Sequence, residues 1–178
     1  MNAERLSGPS SVIILDDVFP RSVAEASRER HTASWAGDTY KVLLVLERYR
    51  PDLAIIPLDT QHTGLLLVLG LDPASTVLAA RYDEIVAEFA VRDPQPVPEE
   101  ILYRKNAADP KMVADSAVWR ELAARRHSRT PVSFMEALGS LRGTARFTLV
   151  PPADLGAWPP ASPWYLSRAR HKMARLVR

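Results

Sequence analysis

The chain reads as an α/β protein whose strands fall within residues 1–92, followed by a mainly helical extension over 93–178. Three observations predict this. Val12–Leu15 (VIIL), Leu53–Ile56 (LAII) and Leu65–Leu69 (LLLVL) are short continuous apolar runs, as strands covered on both faces of a sheet require. Between the first two, DTYKVLLVLERYR places Tyr40, Leu43, Leu44 and Leu46 at helical spacing. Beyond Asp93 the apolar periodicity is that of helices, and proline-rich stretches separate them.

Each element has its local reason. The first strand ends in Asp16-Asp17, and Ser22 to Arg30 then reads as a short helix or turn. HTASWAG follows as a loop of small and polar residues. Asp38 is the expected N-cap of the next helix, which Pro51 stops. The second and third strands are joined by Asp59-Thr60-Gln61-His62-Thr63-Gly64, short enough for a hairpin connection, so that pair is predicted to be antiparallel. PASTVLAARYDEIVAEF sets Val77, Leu78, Tyr82, Ile85, Val86 and Phe89 on one helical face. After the break DPQPVPEE, helices are expected over Pro110–Arg126 and Val132–Leu141, and RFTLV is expected to form a further strand. PPADLGAWPPASP has too many prolines for regular structure, and SPWYLSRARHKMARLVR closes as a basic helix.

Composition narrows the class. Of the 178 residues, 47% are apolar and 25% charged, the balance of a globular protein with a real core. With no cysteine, disulfides, thiolate zinc sites and cysteine nucleophiles are excluded. MNAERLSGPSS lacks the apolar core of a signal peptide, and no run approaches the roughly 20 apolar residues of a membrane helix. A cytoplasmic protein with no membrane partner is the expectation. After Asp154 there are no acidic side chains, while Arg168, Arg170, Lys172, Arg175 and Arg178 crowd the end. No nucleic-acid motif accompanies them, so they read as a solvated helix face rather than a nucleic-acid site. No G-x-G pair, P-loop, HExxH or nucleophile elbow is present, which removes support for dinucleotide, kinase, metalloprotease and hydrolase readings.

Asp16 and Asp17 are the foremost candidates for chemistry. Ligand sites of parallel sheets lie just past the carboxyl ends of their strands, and a carboxylate there can orient or deprotonate an amine or hydroxyl. The plainer alternative is one carboxylate capping the next turn and one in solvent. His31, in the loop that should face the same end, suits general acid or base work. Arg21, Arg28 and Arg30 can hold an anionic substrate group as bidentate forks, or simply neutralise Asp16, Asp17, Glu25 and Glu29. Trp35 is either a pocket wall or a core anchor. Lys41, on the first turn after Asp38, can point back toward the site.

Two segments, ILDDVFPRSVAEASRERHTASWAGDTYKVLLVLERYRPDL and DTQHTGLLLVLGLDP, carry a resemblance. They resemble the C-terminal part of class I S-adenosylmethionine-dependent methyltransferases, in particular a bacterial branch with DD-V-x-P followed by W-x-G-D-x-Y-K opening a helix. The resemblance spans Ser11 to Phe89. It implies a partial Rossmann-like methyltransferase sheet: VIIL as the fifth strand, Asp38–Arg50 as the next helix, and LAII with LLLVL as an antiparallel final pair. The family's glycine-rich cofactor loop and the acidic end of its second strand have no counterpart among Gly8, Gly37, Gly64, Gly70, Gly139, Gly143 and Gly156.

The resemblance therefore implies a split enzyme, in which a second polypeptide supplies the N-terminal half of the fold and any site for S-adenosylmethionine. In metal-dependent O-methyltransferases the acidic pair at this strand end holds magnesium, so Asp16 or Asp17 would be a ligand and the third ligand would come from the other half. The aziridine-forming complexes of natural-product pathways resemble an alternative scheme without a cofactor, in which a carboxylate takes a proton from an amine while a group such as sulfate leaves a small-molecule substrate. A non-catalytic subunit that only completes the fold is the other alternative.

Overall fold

Three strands build the sheet of this computed structural model, which describes residues 2–8, 10–124 and 126: β1 (Ile13–Asp16), β2 (Ala54–Leu58) and β3 (Leu65–Leu69). Their order is β1-β3-β2, and β3 runs antiparallel to both neighbours. β2 and β3 pair across the 59–64 connection as the sequence predicts. β1 and β2 are consequently parallel to each other on either side of β3, and the long connection between them carries a helix, as parallel strands require. The strands expected at 146–150 and the helices expected at 132–141 and 162–178 lie outside the described residues.

Side-chain alternation splits the core into two layers. On one face Ile55, Leu66 and Val68 pack with Val18, Phe19, Tyr40, Leu43 and Leu46, so that α2 (Tyr40–Tyr49) covers the sheet. On the other, Ala54, Ile56, Leu58, Leu67 and Leu69 pack with Val113, Val118 and Leu122 from α6 (Pro110–Ala114) and α7 (Val118–Ala124). This double cover explains why β2 and β3 read as unbroken apolar runs. Burying each leucine of these strands contributes about 2 kcal/mol.

β1 departs from the expectation of a strand covered on both faces. Its residues alternate between half-buried and exposed, and Ile14 keeps 60% of its surface in solvent. The register sets Ile14 opposite Leu67, on the face of α6 and α7, but those helices pack over β2 and β3. β1 also occupies one edge of the sheet.

Several helices differ in detail from the sequence reading. Of the helix or turn expected over Ser22 to Arg30, the turn is what forms, closed by Ala26 N–H donating to Ser22 O at 3.2 Å. Thr39, not Asp38, occupies the N-cap of α2, and Asp38 spends its carboxylate on ion pairs. The amphipathic stretch after Pro73 is broken at Arg81 into α3 (Val77–Ala80) and α4 (Tyr82–Phe89), and the 110–126 stretch is likewise divided into α6 and α7. The short helices α1 (Asn2–Arg5) and α5 (Glu99–Leu102) have no counterpart in the sequence reading.

α1 is tied down by charge. The Arg50 guanidinium, 1% exposed, donates from Nη1 to Glu4 Oε2 at 2.7 Å and from Nη2 to Asp52 Oδ2 at 2.8 Å. The Asp52 hydrogen bond does most to raise the Arg50 pKa, and Glu4 adds to it against the effect of burial. A cation so enclosed is tolerable only because both neighbours are carboxylates. None of the described helices is long and apolar enough to cross a membrane.

Candidate functional site

The sheet delivers two carboxylates to the carboxyl end of β1, and they are held differently. Asp16 is exposed, and its Oδ1 accepts the Asp17 backbone N–H at 2.9 Å. Asp17 is half-buried and adopts φ 63°, the left-handed region that non-glycine residues rarely enter. Its Oδ1 accepts the Thr63 hydroxyl at 2.6 Å. That contact follows from register: Asp16 pairs with Leu65, which brings the residue just after β1 alongside the end of the β2–β3 connection. Thr63 also accepts the Phe19 N–H on its carbonyl at 2.7 Å, so it grips the chain on both sides of Val18.

The connection itself is fixed from the side by Arg104, 8% exposed. Its Nη1 donates to Asp59 Oδ1 at 2.6 Å and to Thr60 O at 2.8 Å, and its Nη2 donates to His62 O. The guanidinium lies 5.5 Å from the Phe19 ring centre, a cation–π distance. Gly64 lets the layers meet: a Cβ there would lie 2.3 Å from the Phe19 ring.

The remaining sequence candidates gather elsewhere. Arg21 is engaged bidentately with the buried Glu25, through Nη2 to Oε1 at 2.5 Å and Nε to Oε2 at 3.1 Å. Arg28 pairs with Asp38 at 3.3 Å, and Lys41 reaches the same carboxylate at 3.4 Å while donating to Phe89 O at 2.5 Å. Trp35 is partly exposed and donates from Nε1 to Ser27 O at 2.7 Å, which makes it a loop fastener. His31 is exposed.

A second carboxylate anchors this loop group. Asp93 accepts the Gln95 amide at 2.8 Å and the Arg28 N–H at 3.0 Å. Its carboxyl is held below the usual range, first by the Gln95 hydrogen bond, with the Glu29 and Arg28 N–H groups and the nearby His31 adding to it against desolvation. Burial, helped by Asp38 and Asp93, pushes the Tyr40 hydroxyl up to about 12, so it stays a neutral donor at any physiological pH.

No hydrogen bond or ion pair within the described residues joins Arg21, Arg28, His31, Trp35 or Lys41 to Asp16 or Asp17. The contacts instead sort the candidates into a strand-end group and a loop group. No cluster of three or more His, Asp or Glu side chains able to hold a metal occurs among the described residues. Asp16 and Asp17 would supply at most two carboxylates to a magnesium ion, whose remaining oxygens would come from water and from ligands outside these residues. Thr63, Arg104 and Asp93 are the site residues that sequence reasoning missed. Thr63 precedes Gly64 at a connection already recognised, but its bond to Asp17 depends on the β1–β3 pairing, which no local pattern announces. Compared with known proteins, the chain matches no family model, no curated protein and no solved structure.

Proposed function

We propose that this chain is one subunit of a heteromeric, methyltransferase-like enzyme of bacterial secondary metabolism, supplying strand-end carboxylates to a site shared with a partner polypeptide. The observation that carries the reading is β1: it stands at the edge of the sheet, with Ile14 uncovered, and ends in Asp16 and Asp17. An edge strand with an uncovered apolar residue is a liability unless another strand or layer meets it. The succession of strand, helix and antiparallel pair supports the resemblance to the last part of a methyltransferase sheet. In this reading the partner continues the sheet beyond β1 and covers Ile14, which brings its own strand ends beside Asp17.

Asp17 acts as proton acceptor toward an amine or hydroxyl of a small-molecule substrate, with Asp16 beside it adding negative charge. A carboxylate in this role contributes roughly 10²–10⁴-fold in rate. S-adenosylmethionine, if used, is held by the partner, since this sequence carries no glycine-rich loop for it. The test is to purify the chain with the product of the adjacent reading frame and titrate S-adenosylmethionine into the assembly. Saturable binding supports methyl transfer; turnover without binding supports the cofactor-free cyclisation. Asp17→Asn should abolish turnover of the assembly, and full activity in Asp16→Asn, Asp17→Asn and His31→Ala would leave only a fold-completing subunit.

A further inference from the structure

Among the described residues, two non-glycine residues adopt the left-handed region, Asp17 at φ 63° and Arg104 at φ 50°. They lie far apart in sequence yet bear on the same short connection. Such conformations cost on the order of 1–2 kcal/mol each and persist where surrounding contacts over-determine them, most often at functional sites. Arg104 holds the connection through Asp59, Thr60 and His62, and the same connection carries Thr63, whose hydroxyl holds Asp17. A further tie runs through the backbone: Ala108 N–H donates to Pro57 O at 2.7 Å and Asp59 N–H to Ala108 O at 2.9 Å, which docks the segment after Arg104 on the end of β2.

We infer that Thr63 and Arg104 are positioning residues for Asp17, forming one preorganised relay from the turn after α5 to the strand end. The inference rests on the reading of Asp17 as the functional carboxylate and names what aims it. Thr63 occupies Oδ1, so Oδ2, which takes no hydrogen bond from the described residues, is the oxygen that meets substrate. The buried guanidinium keeps the connection from relaxing outward, and it reaches one carboxylate and two carbonyls from two nitrogens held in a rigid plane, a geometry that the single ammonium of a lysine does not reproduce. Geometry held within a fraction of an ångström is what a proton-accepting group needs, and side chains anchored by a supporting layer supply it.

The test reads the Asp17 side chain directly. Three-bond couplings from Asp17 Cγ to its backbone N and C′, measured by NMR on the labelled full chain, alone or with its unlabelled partner, give the χ1 populations. The wild type should show one staggered rotamer. Thr63→Val, nearly isosteric, should lower the ratio of that rotamer to the others on the order of tenfold, and Thr63→Ser should restore it. Arg104→Lys should loosen Asp17 in the same direction without touching it. Rotamer averaging in the wild type, or an unchanged single rotamer in Thr63→Val, would overturn the inference. The wild-type measurement decides even where a variant does not fold. The couplings need no turnover, so an assembly that stays active with Asp17→Asn would overturn the functional reading alone.

Discussion

Asp17 combines a left-handed backbone with a carboxylate that accepts a neighbouring hydroxyl. Asparagine enters the left-handed region as readily as aspartate and retains a side-chain oxygen for Thr63. Asp17→Asn is therefore expected to change the unfolding free energy by no more than about 1 kcal/mol, measured by urea unfolding. Loss of turnover in that variant would then report chemistry, not folding. At this scale the strand-end carboxylates were legible, because an apolar run closing on Asp-Asp marks the end of a strand. What holds them was not: Thr63 acquires its role only when β3 inserts between β1 and β2, and Arg104 is more than forty positions away from the loop residues it binds. Asp38 was misassigned for a related reason. Its sequence position suits a cap, but Arg28 and Lys41 offer two cations where the cap offers one N–H.

At the scale of elements, β3 and the segment after β1 meet closely at Gly64. Gly64 has φ 68°, and a methyl group there would meet the Phe19 ring at 2.3 Å and Leu58 O at 3.1 Å. Backbone strain and overpacking act together, so Gly64→Ala should destabilise by about 2–4 kcal/mol, read from the urea midpoint. Thr63 should lose its grip on Asp17 in the same variant. The strands themselves were legible as apolar runs, and so was the hairpin connection. The edge position of β1 was not, since VIIL is as apolar as the covered strands; only the placement of α6 and α7 over β2 and β3 leaves Ile14 bare. Ile14→Lys should accordingly make the isolated chain less prone to aggregate, measured by light scattering, because a charge on an edge strand discourages pairing.

Across the whole molecule, carboxylates held by neighbouring donors predict how the fold responds to acid. Asp52 is held below the usual carboxylate range by its hydrogen bond from Arg50, and Asp93 by that from Gln95. A carboxyl that titrates lower in the folded chain than in the unfolded one stabilises the fold above about pH 4, and this contribution disappears as pH falls through the folded value. Urea midpoints should thus decline from about pH 4 downward, and Asp93→Asn should flatten that decline. Both carboxylates lie near the surface, so each share is modest and shrinks with added salt.

In the proposed function the sheet continues beyond β1 in another polypeptide. The most direct test of this is the native mass of the chain purified with the product of the adjacent reading frame, for wild type and Ile14→Lys in parallel. A stable one-to-one assembly is expected for wild type, and its dissociation into free chains for Ile14→Lys. A wild-type chain that stays a well-folded monomer in the presence of that polypeptide would contradict it.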